Sequence, residues 1–189
     1  MQTSKTPSTP SNIKNCVGLD LSLTATGITI LSGGKKIYSG VIKSKPTGKK
    51  PTDELLRLKS IVQSIGDILA NNGVEPDLVA IENLAFGVRN ATALTQLAGL
   101  NYFVRDMCRY RGWPFILVAP MTLKKFITGS GKSDKNVMLL ETFKRYGESF
   151  LNDNESDSYG LAQIGRLFCD DAQTTVSSKN LIALIGTQL

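Results

Sequence analysis

The chain has 189 residues, 41% of them hydrophobic, and 22 Lys and Arg outweigh 16 Asp and Glu to give a formal charge of +6 and a pI near 9.3. That length suits one domain burying its own core, and the basic balance suits a polyanionic partner. No apolar run approaches the ~20 residues of a membrane span, so a soluble protein is expected, and the absence of histidine excludes a His general base, a serine-type triad and a His-ligated zinc ion.

Residues 1–14 are rich in Ser, Thr, Pro and Lys with almost nothing to bury. They read as a disordered basic tail, and without an apolar stretch they do not read as a secretory signal. Residues 15–170 are expected to form the folded domain and 171–189 a C-terminal tail. Within the domain, Cys16 to Leu31 reads as a buried strand, a bend and a second strand (VGLDLS, then GITIL). Ser32-Gly33-Gly34-Lys35 supplies hairpin chemistry before a third strand, KIYSGVI, so three antiparallel strands come first. A Lys-, Pro- and Gly-rich loop leads into a helix over 52–72, with Leu55, Leu58, Ile61, Val62, Ile65, Ile68 and Leu69 at helical spacing, Thr52 as its cap and Gly73 as its stop. DLVAIE forms a fourth strand closing on Glu82. Residues 91–111 form a helix ended by Gly112, and FILVA is a fifth strand. A short helix then passes through Lys124 and Lys125, a Gly-Ser-Gly turn follows, and Ser133 caps a helix running to Tyr146. A last helix carries Asp157 through Phe168. Cys16, Cys108 and Cys169 form no CxxC pair and lie in apolar stretches, so reduced core thiols are expected.

The acids are the informative residues. Asp20 interrupts an apolar strand, where a charge is costly without a partner or a metal; capping a turn with Ser22 or Thr24 is the plainer alternative. Glu82 ends the apolar run LVAI in the same way. If the first and fourth strands are parallel neighbours, both acids emerge at the carboxyl edge of the sheet, where open α/β sheets hold ligands. Such a pair repels unless one takes up a proton or a cation sits between them, and oxygen donors of this kind suit Mg²⁺ or Mn²⁺. The third element, Asp153-Asn154-Glu155-Ser156-Asp157, opens the last helix, where capping accounts for one or two of these residues. Helical spacing puts Asp153 and Asn154 on the face of Asp157, and Glu155 reaches inward only if the first turn is irregular. The segment 129–133 (GSGKS) invites a phosphate-loop reading, but that loop requires glycine where Phe126 stands, and no strand precedes it. No nucleotide cofactor is expected.

These acidic segments, in this order, resemble the RuvC family of Holliday-junction resolvases. GLDLSLTATG is similar to the family's first-strand motif, with Thr26-Gly27 as its Thr-Gly pair, and IENLAFGVRNA (81–91) to the second. Lys124 and Lys135 flank Gly129-Ser130-Gly131 as the family's two lysines flank its Gly-x-Gly turn, and DSYGLA from Asp157 is similar to the last motif. The resemblance runs from residue 16 to about 168. It implies an α/β, RNase H-like fold: a mixed five-stranded sheet, three antiparallel strands then parallel ones, flanked by helices.

It also implies an activity: a structure-selective, metal-dependent endonuclease that resolves four-way DNA junctions by paired symmetric nicks leaving 5′-phosphates. Asp20, Glu82 and Asp157 would hold Mg²⁺, with Mn²⁺ able to substitute. The family carries Asp or His three residues before its final Asp, and this chain has Asn154 there, so the fourth ligand is Asn154 through its carbonyl, or Asp153, or Glu155. Lys135 and Lys132 would neutralise charge on the scissile phosphate. Lys124, Arg89 and Asn90 would hold DNA strands, and Phe86 would enter the junction as a wedge. The ordinary readings of these residues are solvated lysines and a core aromatic. Symmetric resolution needs two sites on a two-fold axis, hence a homodimer, with the helix over 91–111 (Ala98, Gly99, Tyr102, Phe103) as its expected interface. No membrane partner is expected, and the location is cytoplasmic, in a host cell if the source is a virus or phage. Two rivals are an actin-like or sugar-kinase-like ATPase, whose fold also opens on a strand, an Asp and a Ser/Thr/Gly turn, and a non-catalytic junction-binding protein.

Overall fold

The computed structural model describes residues 14–84 and 90–169. A five-stranded sheet is built from β1 (Asn15–Asp20), β2 (Ala25–Ser32), β3 (Lys35–Lys43), β4 (Leu78–Glu82) and β5 (Phe115–Val118), in the order β3-β2-β1-β4-β5. β1, β2 and β3 are antiparallel, and β4 and β5 then run parallel to β1. Gly33 and Gly34, with φ of 55° and 78°, make the β2–β3 turn, because both central positions of such a hairpin need a left-handed backbone. Helices α1 (Pro51–Asn71) and α2 (Ala91–Arg111) cover one face of the sheet, where Val17, Leu19, Ile28, Ile30, Val79 and Ile81 meet Leu58, Ile61, Ile65, Leu100 and Val104. Helices α3 (Pro120–Thr128), α4 (Lys135–Tyr146) and α5 (Asp153–Cys169) cover the other, where Leu78, Ala80, Ile116 and Val118 meet Leu123, Ile127, Met138, Leu161 and Ile164.

α5 is the central element of this second face. Residues 158–165 are buried on every side of the helix, because it is wedged between the sheet and α3 and α4. Its approach to the sheet depends on glycine: a methyl group at Gly18 would collide with the Ser158 carbonyl and the Ala162 amide nitrogen, and one at Gly27 with the Asn154 carbonyl.

Some helix starts differ from the sequence expectation. α1 begins at Pro51, whose fixed φ suits a first helical position, rather than on a Thr52 cap. α4 is capped by Asp134, which accepts from the Val137 amide at 3.0 Å, while the expected cap Ser133 is engaged with Ser130 and Thr128 in the preceding turn. Lys14, expected in the tail, is paired with Asp77 at 2.9 Å. The tails at 1–13 and 170–189 lie outside the described residues. Among the described residues, no helix is long and apolar enough to cross a membrane.

Candidate active site

The parallel register of β1 and β4 sets Leu19 beside Ile81. Asp20 and Glu82 are therefore the next residues on two adjacent strands, and with period-two alternation both leave the sheet on the face covered by α5. Asp20 is 8% exposed, and its carboxyl shares a hydrogen bond with Glu82. Burial, then the charge of Glu82, pushes Asp20 up to about 8. Glu82 is also raised, chiefly by burial and further by the charge of Asp157, while its bond to Asp20 acts in the opposite direction. One proton between the two carboxyls relieves their repulsion.

The third acid arrives from α5. Gly18, Thr29 and Gly27 line the path of the helix along the sheet: Ala162 and Ser158 lie against Gly18, Ser158 bonds Thr29 at 2.9 Å, and Asn154 lies against Gly27. Residues 154, 158 and 162 are spaced by four and form the ridge seated on the sheet. Asp153 and Asp157, one position back, form the neighbouring ridge. Asp157 is pushed up to about 7 by burial and then by the charges of Asp20 and Asp153. Asp153 contributes to the field at both Asp20 and Asp157 and is itself held below the usual carboxylate range by its bond to Lys135. That same bond raises the Lys135 ammonium, with the charges of Asp157 and Asp20 adding to it. Lys124 supplies positive charge to Glu82 and Asp157.

The structure thus brings together Asp20, Glu82 and Asp157 with Lys124 and Lys135, and of the three candidates for a fourth member it is Asp153 whose charge reaches Asp20 and Asp157. It does not bring in Glu155, whose carboxylate accepts from the Asn152 side chain at 2.7 Å while its amide donates back to Asn152 at 3.0 Å, a reciprocal cap at the start of α5. Asn154 is the residue whose carbonyl and Cβ pack against Gly27. Lys132 is exposed beyond the Gly-Ser-Gly turn, and Asn90 caps α2 by accepting from the Ala93 amide at 3.2 Å. Phe86 and Arg89 lie outside the described residues. Asn101, a residue the sequence did not single out, is 1% exposed on α2 and donates to the Glu82 carbonyl at 3.4 Å. A lone polar residue on the buried stripe of that helix was the available signal.

Among the described residues, no group of three or more His, Cys, Asp or Glu is arranged as a ready metal cage. Asp20 and Glu82 are bonded to each other, and Asp153 is turned to Lys135. The donor set nevertheless fits a hard divalent cation. It is all carboxylate, two of its members are pushed up to about 8 and about 7, and a cation among them would remove the repulsion that, with burial, holds their protons on.

Residues 16–144 match the family model described as Crossover junction endodeoxyribonuclease RuvC. The match ends before α5, so Asp153 and Asp157 stand on the geometry and the motif reading. The crossover junction endodeoxyribonuclease of Corynebacterium diphtheriae is 29% identical over 127 residues, 65% of this chain and 74% of that one. Its counterpart in Corynebacterium efficiens is 27% identical over a stretch covering 54% of its own length, so the chain spans about half of that relative. The Cutibacterium acnes enzyme is 32% identical over 136 residues, 68% of this chain and 65% of that one. In fold, the chain is similar to Thermus thermophilus RuvC, with a TM-score of 0.61 at 20% identity over 78% of this chain and 90% of that one. It is similar also to the same protein in complex with a Holliday junction substrate, with a TM-score of 0.65 at 20% identity over 79% and 90%.

Proposed function

The chain belongs to the RuvC family of crossover junction endodeoxyribonucleases, and on that premise we propose that it nicks four-way DNA junctions in symmetric pairs, leaving 5′-phosphates. The observation that carries this reading is the convergence of Asp20, Glu82 and Asp157, from three separate elements, at the carboxyl edge of the sheet beside Lys124 and Lys135. Asp20, Glu82, Asp153 and Asp157 would hold Mg²⁺, with Mn²⁺ able to replace it. When bound, the divalent metal supplies an activated water and a positive centre for the leaving 3′ oxygen.

The chain's own groups do the remaining work. Lys135 is 76% exposed in its side chain, so its ammonium can turn from Asp153 toward an entering phosphate and neutralise the charge growing there. That exchange frees Asp153 at the moment substrate arrives. Lys124 offsets the charge of Glu82 and Asp157 and faces the same space, and Lys132 and Arg89 contact flanking phosphates. Phe86, four residues after Glu82 in sequence, would enter the junction as an apolar wedge.

Paired nicks require two such sites, hence a homodimer. Its interface would use the outward side of α2, where Tyr102 and Tyr110 are 62% and 82% exposed. Gly99 lies against Leu58 of α1 and Phe103 packs on the protomer's own core, so the contact would centre on the tyrosines. The reading places the protein in the cytoplasm, where such DNA is found.

A labelled mobile four-way junction incubated with the protein and Mg²⁺, beside duplex and flap controls, tests this directly. Paired symmetric nicks that Asp20→Asn abolishes are expected. Binding without nicks would instead support a non-catalytic junction-binding protein.

A further inference from the structure

At the end of the sheet away from the acids, two cysteines 153 residues apart in sequence meet, with the sulfurs of Cys16 and Cys169 3.5 Å apart. Cys16 lies near the start of β1 and Cys169 is the last residue of α5. Asp20 is four residues on from Cys16, about 13 Å along β1. The approach is built into the packing of α5, because Gly165 faces the Cβ of Cys16 and lies one helical turn before Cys169, bringing the end of the helix down over the strand. The two thiols differ in access: Cys16 is 1% exposed, and Cys169 is half-buried. Lys14 lies close enough for its ammonium to feel charge on either sulfur. Lys14 is itself paired with Asp77 at 2.9 Å, so its charge favours a thiolate at Cys169 only from a distance, and the closeness of the two sulfurs is what sets this pair apart.

We infer that Cys16 and Cys169 form an oxidative modification site, in which a peroxide or a small disulfide of the glutathione class joins β1 to the end of α5. With hydrogen peroxide, the Cys169 thiolate attacks one oxygen and displaces hydroxide, giving a sulfenic acid. The Cys16 thiol then attacks that sulfur, the S–S bond forms, and water leaves. Two thiols and one peroxide become one disulfide and two waters. Closing from 3.5 Å to a bond of about 2.05 Å needs only a small turn of the two side chains and the last residue of a helix. Cys108 is excluded from this chemistry, since it is buried in α2 and its thiol is pushed up to about 12. The cross-link would close a loop of more than 150 residues and fix the point from which residues 170–189 depart.

The test uses the full reduced chain treated with stoichiometric hydrogen peroxide. Intact mass should fall by two hydrogens, peptide mapping without reductant should recover the Cys16–Cys169 linkage, and the melting temperature should rise by roughly 5–15 °C, reversibly with dithiothreitol. Cys169→Ser, on the more exposed partner, should fold normally and show neither the linkage nor the rise, while Cys108→Ser should keep both. Three results would overturn the inference: a stable sulfenic or sulfinic acid on Cys169 with Cys16 still a thiol, a disulfide between chains in place of the internal one, or an internal linkage without a rise in melting temperature.

Discussion

Replacing Asp20 by Asn should make the metal-free protein more stable at neutral and mildly alkaline pH. Asp20 ordinarily titrates at 3.8 and is raised to about 8 in the folded chain. Between about pH 4 and 8 the folded chain holds a proton that the unfolded chain has released, so stability falls as pH rises through that window. At about 1.4 kcal/mol per pH unit, the ceiling on this penalty is about 6 kcal/mol near pH 8. Asn imitates the protonated acid, keeps its shape and frees Glu82 and Asp157 from one buried charge. It loses part of the bond to Glu82, so a net gain of about 2–4 kcal/mol is expected, a rise of roughly 5–15 °C in melting temperature. The assay is thermal unfolding of both proteins in chelator from pH 4 to pH 8.5. The gap should be near zero at pH 4 and grow toward pH 8. Added Mg²⁺ should narrow it by raising the wild type, because a cation among carboxylates stabilises the state that binds it. Equal melting temperatures at pH 8 in chelator, or a gap that does not change with pH, would refute the claim that these carboxyls repel one another in a buried site.

Asp153→Asn should reduce junction nicking by about a hundredfold with little change in folding, whereas Glu155→Gln, which keeps both an acceptor for Asn152 and the backbone amide that caps the helix, should leave nicking within about threefold and cost under about 1 kcal/mol; rates and melting curves of the two variants separate the roles. Gly27→Ala should destabilise by about 2–4 kcal/mol in urea unfolding, because its methyl group meets the Asn154 carbonyl, and it should weaken nicking as well by pushing the first turn of α5 away from Asp20. Phe86→Ala should keep the fold and melting temperature yet open junctions poorly, read by base fluorescence at the crossover; normal opening would remove the wedge role.

Asp20 and Glu82 were legible because a strand with one face in the core announces itself as an apolar run, and an acid at its end breaks the pattern without ending the strand. The order of strands and helices was legible for the same reason, together with glycines such as Gly112 and Gly129, both left-handed C-caps. What local sequence could not distinguish were choices made by rotation. Ser133 and Asp134 are both good caps, and the tighter turn that Thr128 makes with Ser130 and Ser133 left Asp134 for α4. The meeting of Cys16 and Cys169 is likewise a product of tertiary packing, invisible at a separation of 153 residues.

The choice among Asp153, Asn154 and Glu155 shows how a site and a fold constrain each other. A first turn of helix offers three side chains about 100° apart, and nothing in the turn itself says which direction is inward. Gly18 and Gly27 decide it from another part of the chain, since only their missing side chains let residues 162, 158 and 154 lie flat on the sheet. Once that ridge is seated, Asp157 lies among the strand-borne acids, Asp153 is turned to Lys135 with its charge felt at Asp20 and Asp157, and Glu155 is engaged with Asn152. The same close packing buries residues 158–165 and supplies much of the apolar contact on this face. A helix buried on every side over 158–165 therefore brings Asp157 to acids fixed on two central strands, which is what holding like charges together before a cation arrives requires.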